Sequence, residues 1–144
     1  MRESVVRYYL DADILGLAKV LCSLRNDMTC PGDPGAVLHK RRRPPSPIAD
    51  PGTPDAAWLP VIAAQGWLII SRDGNIRENS AERRAVRESG AKLIALAGAD
   101  ARTKWGQLEV VMTRWRRLED LADQPGPFIY LATRNRLTAL ELDD

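Results

Sequence analysis

The chain has 144 residues, with 21 Lys and Arg against 19 Asp and Glu for a formal net charge of +2. That length suits a single domain (residues 1–144) with a proper core, and no apolar stretch is long enough to cross a bilayer. Met1-Arg2-Glu3-Ser4 leads into a strand-like run without the apolar segment of a secretory signal, and Cys22 and Cys30 fit no metal or redox spacing. We therefore expect reduced thiols, a cytoplasmic location and no membrane partner.

Val5 to Leu10 reads as a buried strand that ends in Asp11-Ala12-Asp13. Ile14, Leu15, Leu17, Ala18, Leu21, Cys22 and Leu24 then recur at helical spacing, with Asp13 placed to cap the helix and Cys22 in its core. A weak extended piece, Asp27 to Cys30, follows. The segment from Pro31 to Pro54 holds most of the prolines and the run His39-Lys40-Arg41-Arg42-Arg43. A structureless stretch of that length predicts a basic lid or arm, partly disordered, with one helical turn around Ala36 to His39.

Thr53 suits an N-cap, Pro54 a first helical position and Asp55 a first turn, so a helix is expected to about Gln65, with Gly66 ending it. Trp67 to Ser71 is the next buried strand, followed by a turn at Asp73-Gly74-Asn75. Ser80 to Ser89 reads as a charged helix capped by Ser80, and Ala91 to Ala97 as a third strand. From Thr103 to Ala122 a longer helix places Trp105, Leu108, Val111, Met112, Trp115, Leu118 and Leu121 on one stripe, read as core or dimer surface. Phe128 to Ala132 and Arg136 to Leu142 are the last strand candidates. This alternation predicts an α/β fold, a three-layer sandwich around a mostly parallel sheet of four or five strands.

Ligands of parallel sheets bind at the carboxyl ends of the strands. Asp11 and Asp73 stand there, and Asp55 opens a helix between their strands. Each has a structural explanation as cap, dipole partner or turn former. Gathered on one edge without a histidine or cysteine cluster, they point to a hard cation, Mg²⁺ or Mn²⁺, and to phosphate chemistry. Asp13 lies beside them and Asn75 offers a neutral oxygen, whereas nothing in the sequence fixes the direction of Asp50 or Glu78. The basic residues are mostly arginine and come in clusters, Lys40 to Arg43, Arg83-Arg84-Arg87, Arg114-Arg116-Arg117 and Arg134-Arg136. Arginine forks fit phosphate, so a nucleic-acid partner is expected, with Lys40, Arg41, Arg42, Arg43 and Arg72 as candidate RNA contacts. The bland reading of each cluster is a solvated face, and of His39 an incidental exposed histidine.

Tyr8-Tyr9-Leu10-Asp11-Ala12-Asp13-Ile14-Leu15 resembles the opening of a PIN domain, and Ile69-Ile70-Ser71-Arg72-Asp73 resembles the strand that carries the family's later acid. Gly52-Thr53-Pro54-Asp55-Ala56-Ala57-Trp58-Leu59-Pro60, with Gly66-Trp67, is similar to a divergent PIN-like branch grouped with VapC-type toxins. The resemblance implies a Mg²⁺- or Mn²⁺-dependent ribonuclease with Asp11, Asp55 and Asp73 as catalytic acids and metal ligands and Asp13 beside them; the family's fourth acid is missing unless Asn75 or Glu78 serves. It also implies a small antitoxin as partner and a homodimer. The family's middle acid is commonly a glutamate inside a helix, and here Asp55 at a helix start takes that place. The alternatives are a catalytically inactive PIN-like scaffold that binds RNA or a protein, and a haloacid-dehalogenase-like phosphatase with Asp11 as nucleophile. For the phosphatase Lys92 and Asp100 are poor matches to the downstream lysine and later acidic pair, and a receiver domain lacks its lysine at Thr133-Arg134-Asn135.

Overall fold

The computed structural model describes residues 1–142. The elements run β1 (Arg2–Glu3), β2 (Tyr8–Leu10), α1 (Leu15–Leu24), β3 (Met28–Thr29), β4 (Ala36–Leu38), β5 (Arg41–Arg43), α2 (Asp55–Gln65) and β6 (Leu68–Arg72), then α3 (Ser80–Ser89), β7 (Lys92–Leu96), α4 (Lys104–Ala122), β8 (Phe128–Ala132) and β9 (Leu137–Leu140). The main sheet has the order β3-β2-β6-β7-β8-β9 and is parallel except for β9. Tyr8 stands opposite Leu68 and Leu10 opposite Ile70, so the two acid-bearing strands are parallel neighbours. Six strands form where four or five were expected. Two residues, Met28 and Thr29, are enough to extend the edge beside β2.

Alternate residues of the central strands serve opposite faces, which is why these strands read as continuous apolar runs. Tyr8, Leu10, Leu68, Ile70, Ile94 and Leu96 pack with Leu17, Leu21, Val110, Val111 and Leu118 of α1 and α4. Tyr9, Ile69, Leu93 and Ala95 pack with Trp58, Leu59, Ile62 and Val86 of α2 and α3. The result is a three-layer α/β sandwich.

Three caps differ from expectation by one or two residues. Pro54, not Thr53, is the N-cap of α2, because the Thr53 hydroxyl donates instead to the Asp50 carbonyl at 2.7 Å. Asn79, not Ser80, caps α3. Asp11, not Asp13, caps the short 3-10 turn Ala12–Ile14 that precedes α1. The end of α2 is as expected: Gly66 sits at φ +76°, a conformation that glycine adopts without steric cost.

The segment 31–54 is not a disordered arm. Ala36–Leu38 and Arg41–Arg43 form an antiparallel hairpin, and β1 pairs with its second strand. The expected helical turn at 36–39 is therefore a strand and a tight turn, with His39 and Lys40 at φ 51° and 63° as a primed hairpin turn requires. Arg43, 4% exposed, anchors it: Nε donates to Asp33 Oδ2 at 2.7 Å and Nη1 to the carbonyls of Cys22 and Arg25 at 2.9 and 3.1 Å. The basic run thus splits into one inward structural arginine and three exposed side chains. Cys22 and Cys30 are both free and buried nearby.

Candidate active site at the carboxyl edge of the sheet

β2 and β6 end side by side, so the residues that leave them share one edge. Asp11 Oδ1 accepts from the Ala12 N–H at 2.6 Å, which turns the chain into α1. Asp13 reaches across to the neighbouring strand, where its Oδ2 accepts from the Arg72 N–H at 3.0 Å. Asp73 closes the turn after β6, its Oδ1 accepting from the Asn75 and Ile76 N–H groups at 2.9 and 2.8 Å. Asp55 comes from the first turn of α2 and accepts from Trp58 Nε1 at 2.9 Å.

Asp11 and Asp55 line one cleft of about 280 Å³ with Trp58, Leu59, Ser71, Asn79 and Glu82. Burial raises Asp11 to about 6, opposed by its Ala12 hydrogen bond and helped by the Asp55 charge. Asp13 rises to about 7 through burial and then the Asp11 charge, offset by the Arg72 N–H, although it keeps solvent access on its outer side. Burial is the larger cause in both, and the neighbouring like charge adds to it.

Glu82 is an acid that the sequence did not single out. Its carboxyl is raised by burial first and then by Asp55, Asp73 and Asp11, so it feels three of the four aspartates. The signal was present: Asn79 accepts from the Glu82 N–H at 3.1 Å while Asn79 Nδ2 donates to Glu82 Oε2 at 3.3 Å, a reciprocal cap legible as Asn-x-x-Glu. That cap holds the glutamate at the mouth of the cleft. The other sequence candidates are placed differently. Asn75 is in the left-handed region and its N–H is used by Asp73. Asp50 closes a turn onto the Gly52 N–H, and Glu78 is exposed in a 3-10 turn. Arg72 is exposed at the end of β6, beside Asp13.

Lys40, Arg41 and Arg42 are not at this edge, which corrects the expectation of an arm overhanging the acids. The hairpin tip packs on the far end of α1: His39 lies 3.4 Å from the Leu24 carbonyl, and Asn26 Nδ2 bonds the Leu38 carbonyl. The 10 residues of α1 separate that end from Asp13 by roughly 15 Å, at 1.5 Å per residue.

The donor set is all oxygen, which suits a hard cation such as Mg²⁺ or Mn²⁺. Among the described residues the Tyr9 hydroxyl beneath it is buried without a hydrogen-bond partner, within electrostatic reach of Asp11 and Asp55, and can bond a water of a hydrated ion. As they stand, however, no three Asp, Glu, His or Cys side chains among the described residues are close enough to hold an ion. Each aspartate already has one oxygen committed to a nearby N–H, and the like charges hold one another apart. The residues fit the ion by chemistry and position, with side-chain adjustment needed to enclose it.

A family model described as a PIN-like domain matches residues 7–98. The chain belongs to that family, and the matched stretch contains Asp11, Asp13, Asp55, Asp73 and Glu82. Among curated proteins it is similar to one named "Putative ribonuclease VapC45" from Mycobacterium tuberculosis, 34% identical over 76 residues, covering 53% of this chain and 54% of the relative. The chain thus aligns with about half the length of that relative. No solved structure gives a significant match.

Proposed function

We propose that the protein is a cytoplasmic, metal-dependent ribonuclease that hydrolyses RNA phosphodiesters, the toxin of a pair neutralised by a small antitoxin. The observation that carries this reading is the convergence of Asp11, Asp13, Asp55, Asp73 and Glu82 on the carboxyl edge, each within electrostatic reach of another. Family membership and the relative named as a ribonuclease support it. Asp11, Asp13, Asp55 and Asp73, with Glu82 at the mouth, would hold Mg²⁺ or Mn²⁺. Bound there, the cation supplies an activated water and neutralises charge developing on the phosphate. The chain's own part is positional. The Trp58 indole aims Asp55, the Arg72 N–H aims Asp13, and the turn at Asn75 and Ile76 fixes Asp73. Arg72 can meet a non-bridging phosphate oxygen. Among the described residues no helix is long and apolar enough to cross a membrane.

The test is cleavage of an end-labelled single-stranded RNA with Mn²⁺ or Mg²⁺. Cleavage should stop in EDTA, and the products should carry 5′-phosphate and 3′-hydroxyl ends, because water is the nucleophile. Cyclic phosphate ends, or cleavage that persists in EDTA, would refute the reading. The open spacing of the acids favours one second reading, a catalytically inactive scaffold that binds RNA. It predicts binding without any cleavage in either metal.

A further inference from the structure

The acidic edge has a basic, aromatic neighbour on the α1–α4 side. The turn Ala99–Arg102 leaves the carboxyl end of β7 and delivers α4, whose first residues are Lys104 and Trp105. β7 is the strand next to β6, and Asp73 N–H donates to the Leu96 carbonyl at 2.8 Å, so this turn begins beside the acids. Lys104 crosses to α1: a Cβ built on Gly16 would lie 3.4 Å from its Cε and 3.8 Å from its Nζ. Gly16 is one helical turn beyond Asp13, so the Lys104 side chain lies against the end of α1 that leaves the carboxyl edge. Trp105 beside it is 72% exposed, although its place in the apolar stripe predicted core or dimer surface. Arg102 is exposed too. Arg134 nearby is committed to Asp100 and Glu109 at 3.2 and 3.6 Å, whereas neither Arg102 nor Lys104 is held in an ion pair among the described residues.

We propose that a single RNA strand crosses the carboxyl edge onto the start of α4, where Lys104 and Arg102 bind its phosphates and Trp105 stacks on a base. The inference rests on the ribonuclease reading and adds the path of the substrate. Cations interleaved with an exposed indole are what a strand without sequence readout requires, because every base has a π-face and every linkage a charge. A duplex would withhold its bases from the indole. The start of α4 follows the carboxyl end of β7, and Lys104 reaches the first turn of α1, which places the bound backbone on the acids' side of the sheet rather than across the molecule at the hairpin.

The experiment measures binding of a fluorescein-labelled 12-nucleotide single-stranded RNA by anisotropy, in EDTA, on the full chain carrying Asp11→Asn so that the probe stays intact. Trp105→Ala should weaken binding by about 5- to 150-fold, the range expected for removing one base–aromatic stack. The double variant Arg102→Gln, Lys104→Gln should reduce the slope of log affinity against log salt by about 0.7 for each phosphate no longer neutralised. These positions are exposed, and circular dichroism should show an unchanged fold. A chain that cleaves RNA, but whose affinity and salt slope survive both variants, overturns this path and leaves the ribonuclease reading standing. Loss of a dimer on Trp105→Ala with RNA affinity unchanged overturns it in favour of a second copy of this chain, which would use Trp105 and the 66% exposed Met112 two turns along. A chain that neither binds nor cleaves RNA overturns both readings.

Discussion

Two charged regions lie at opposite ends of α1, and they solve burial in opposite ways. At the hairpin, Arg43 and Asp33 neutralise each other, and the guanidinium also donates to two carbonyls while Asp33 accepts from Thr29 Oγ1 and the Gly35 N–H. At the carboxyl edge, Asp11, Asp13, Asp55 and Glu82 gather like charges, and burial first, then the neighbouring carboxylates, raises the proton affinity of Asp11, Asp13 and Glu82. The first arrangement is complete and holds a strand in place. The second gathers like charges, the arrangement that the proposed cation would balance.

Breaking the complete region should have the largest effect. Arg43→Ala strands Asp33 without its partner and should cost about 3–5 kcal/mol, measured by urea unfolding, with activity falling only in proportion to the unfolded fraction. Arg43→Ala at wild-type stability would show that the pair is incidental.

At the acidic edge the same kind of change should spare the fold and remove the chemistry. Asp11→Asn keeps the side chain's volume and its acceptor oxygen for the Ala12 N–H, yet should lower the cleavage rate by about 10²–10³-fold, the scale of losing one electrostatic stabiliser. Glu82→Gln tests the acid found only in the structure. It should weaken Mn²⁺ binding by calorimetry without unfolding the protein, and unchanged metal affinity would return Glu82 to a capping role.

The pH dependence of stability sharpens the contrast further. Asp11 and Asp13 have folded-state values near 6 and 7, above the unfolded value of about 3.9, so the folded chain binds these protons more tightly. Their contribution is most favourable below about pH 4 and is lost as pH rises through 6 to 7. In metal-free buffer Asp11→Asn should therefore stabilise the fold by about 1 kcal/mol at pH 8, after allowance for solvent screening, and by almost nothing at pH 4. A stabilisation equal at both pH values would remove the buried charge of Asp11 as its cause.

The smallest effect is expected at the exposed hairpin. Neutralising Lys40, Arg41 and Arg42 together, with Arg43 intact, should change RNA affinity at physiological salt by less than about threefold, since screening acts over roughly 8 Å and the tip lies farther than that from the acids. A steep drop in affinity would instead bring the hairpin into the RNA path.

Much of this was legible in the sequence, because local patterns report local physics. Apolar runs such as Leu68–Ile70 and Leu93–Leu96 can be buried on both faces only in a parallel sheet, and acids that follow such strands must share its carboxyl edge. Gly66 marked a helix end because a left-handed residue was needed there. Tertiary structure decided what depends on residues far apart in the chain. The sequence could not show that Asp33 would draw Arg43 inward from a run of four cations, or that pairing with Arg2 and Glu3 would order the proline-rich segment into a hairpin at the far end of α1. Nor could it show Glu82 swung over the cleft, Asp13 bonded to the next strand, or Trp105 left in solvent while Leu108 and Val111 on the same helix pack inward. A helical stripe is wider than the groove that receives it, and the sheet and α1 against which α4 packs determine which of its residues are covered.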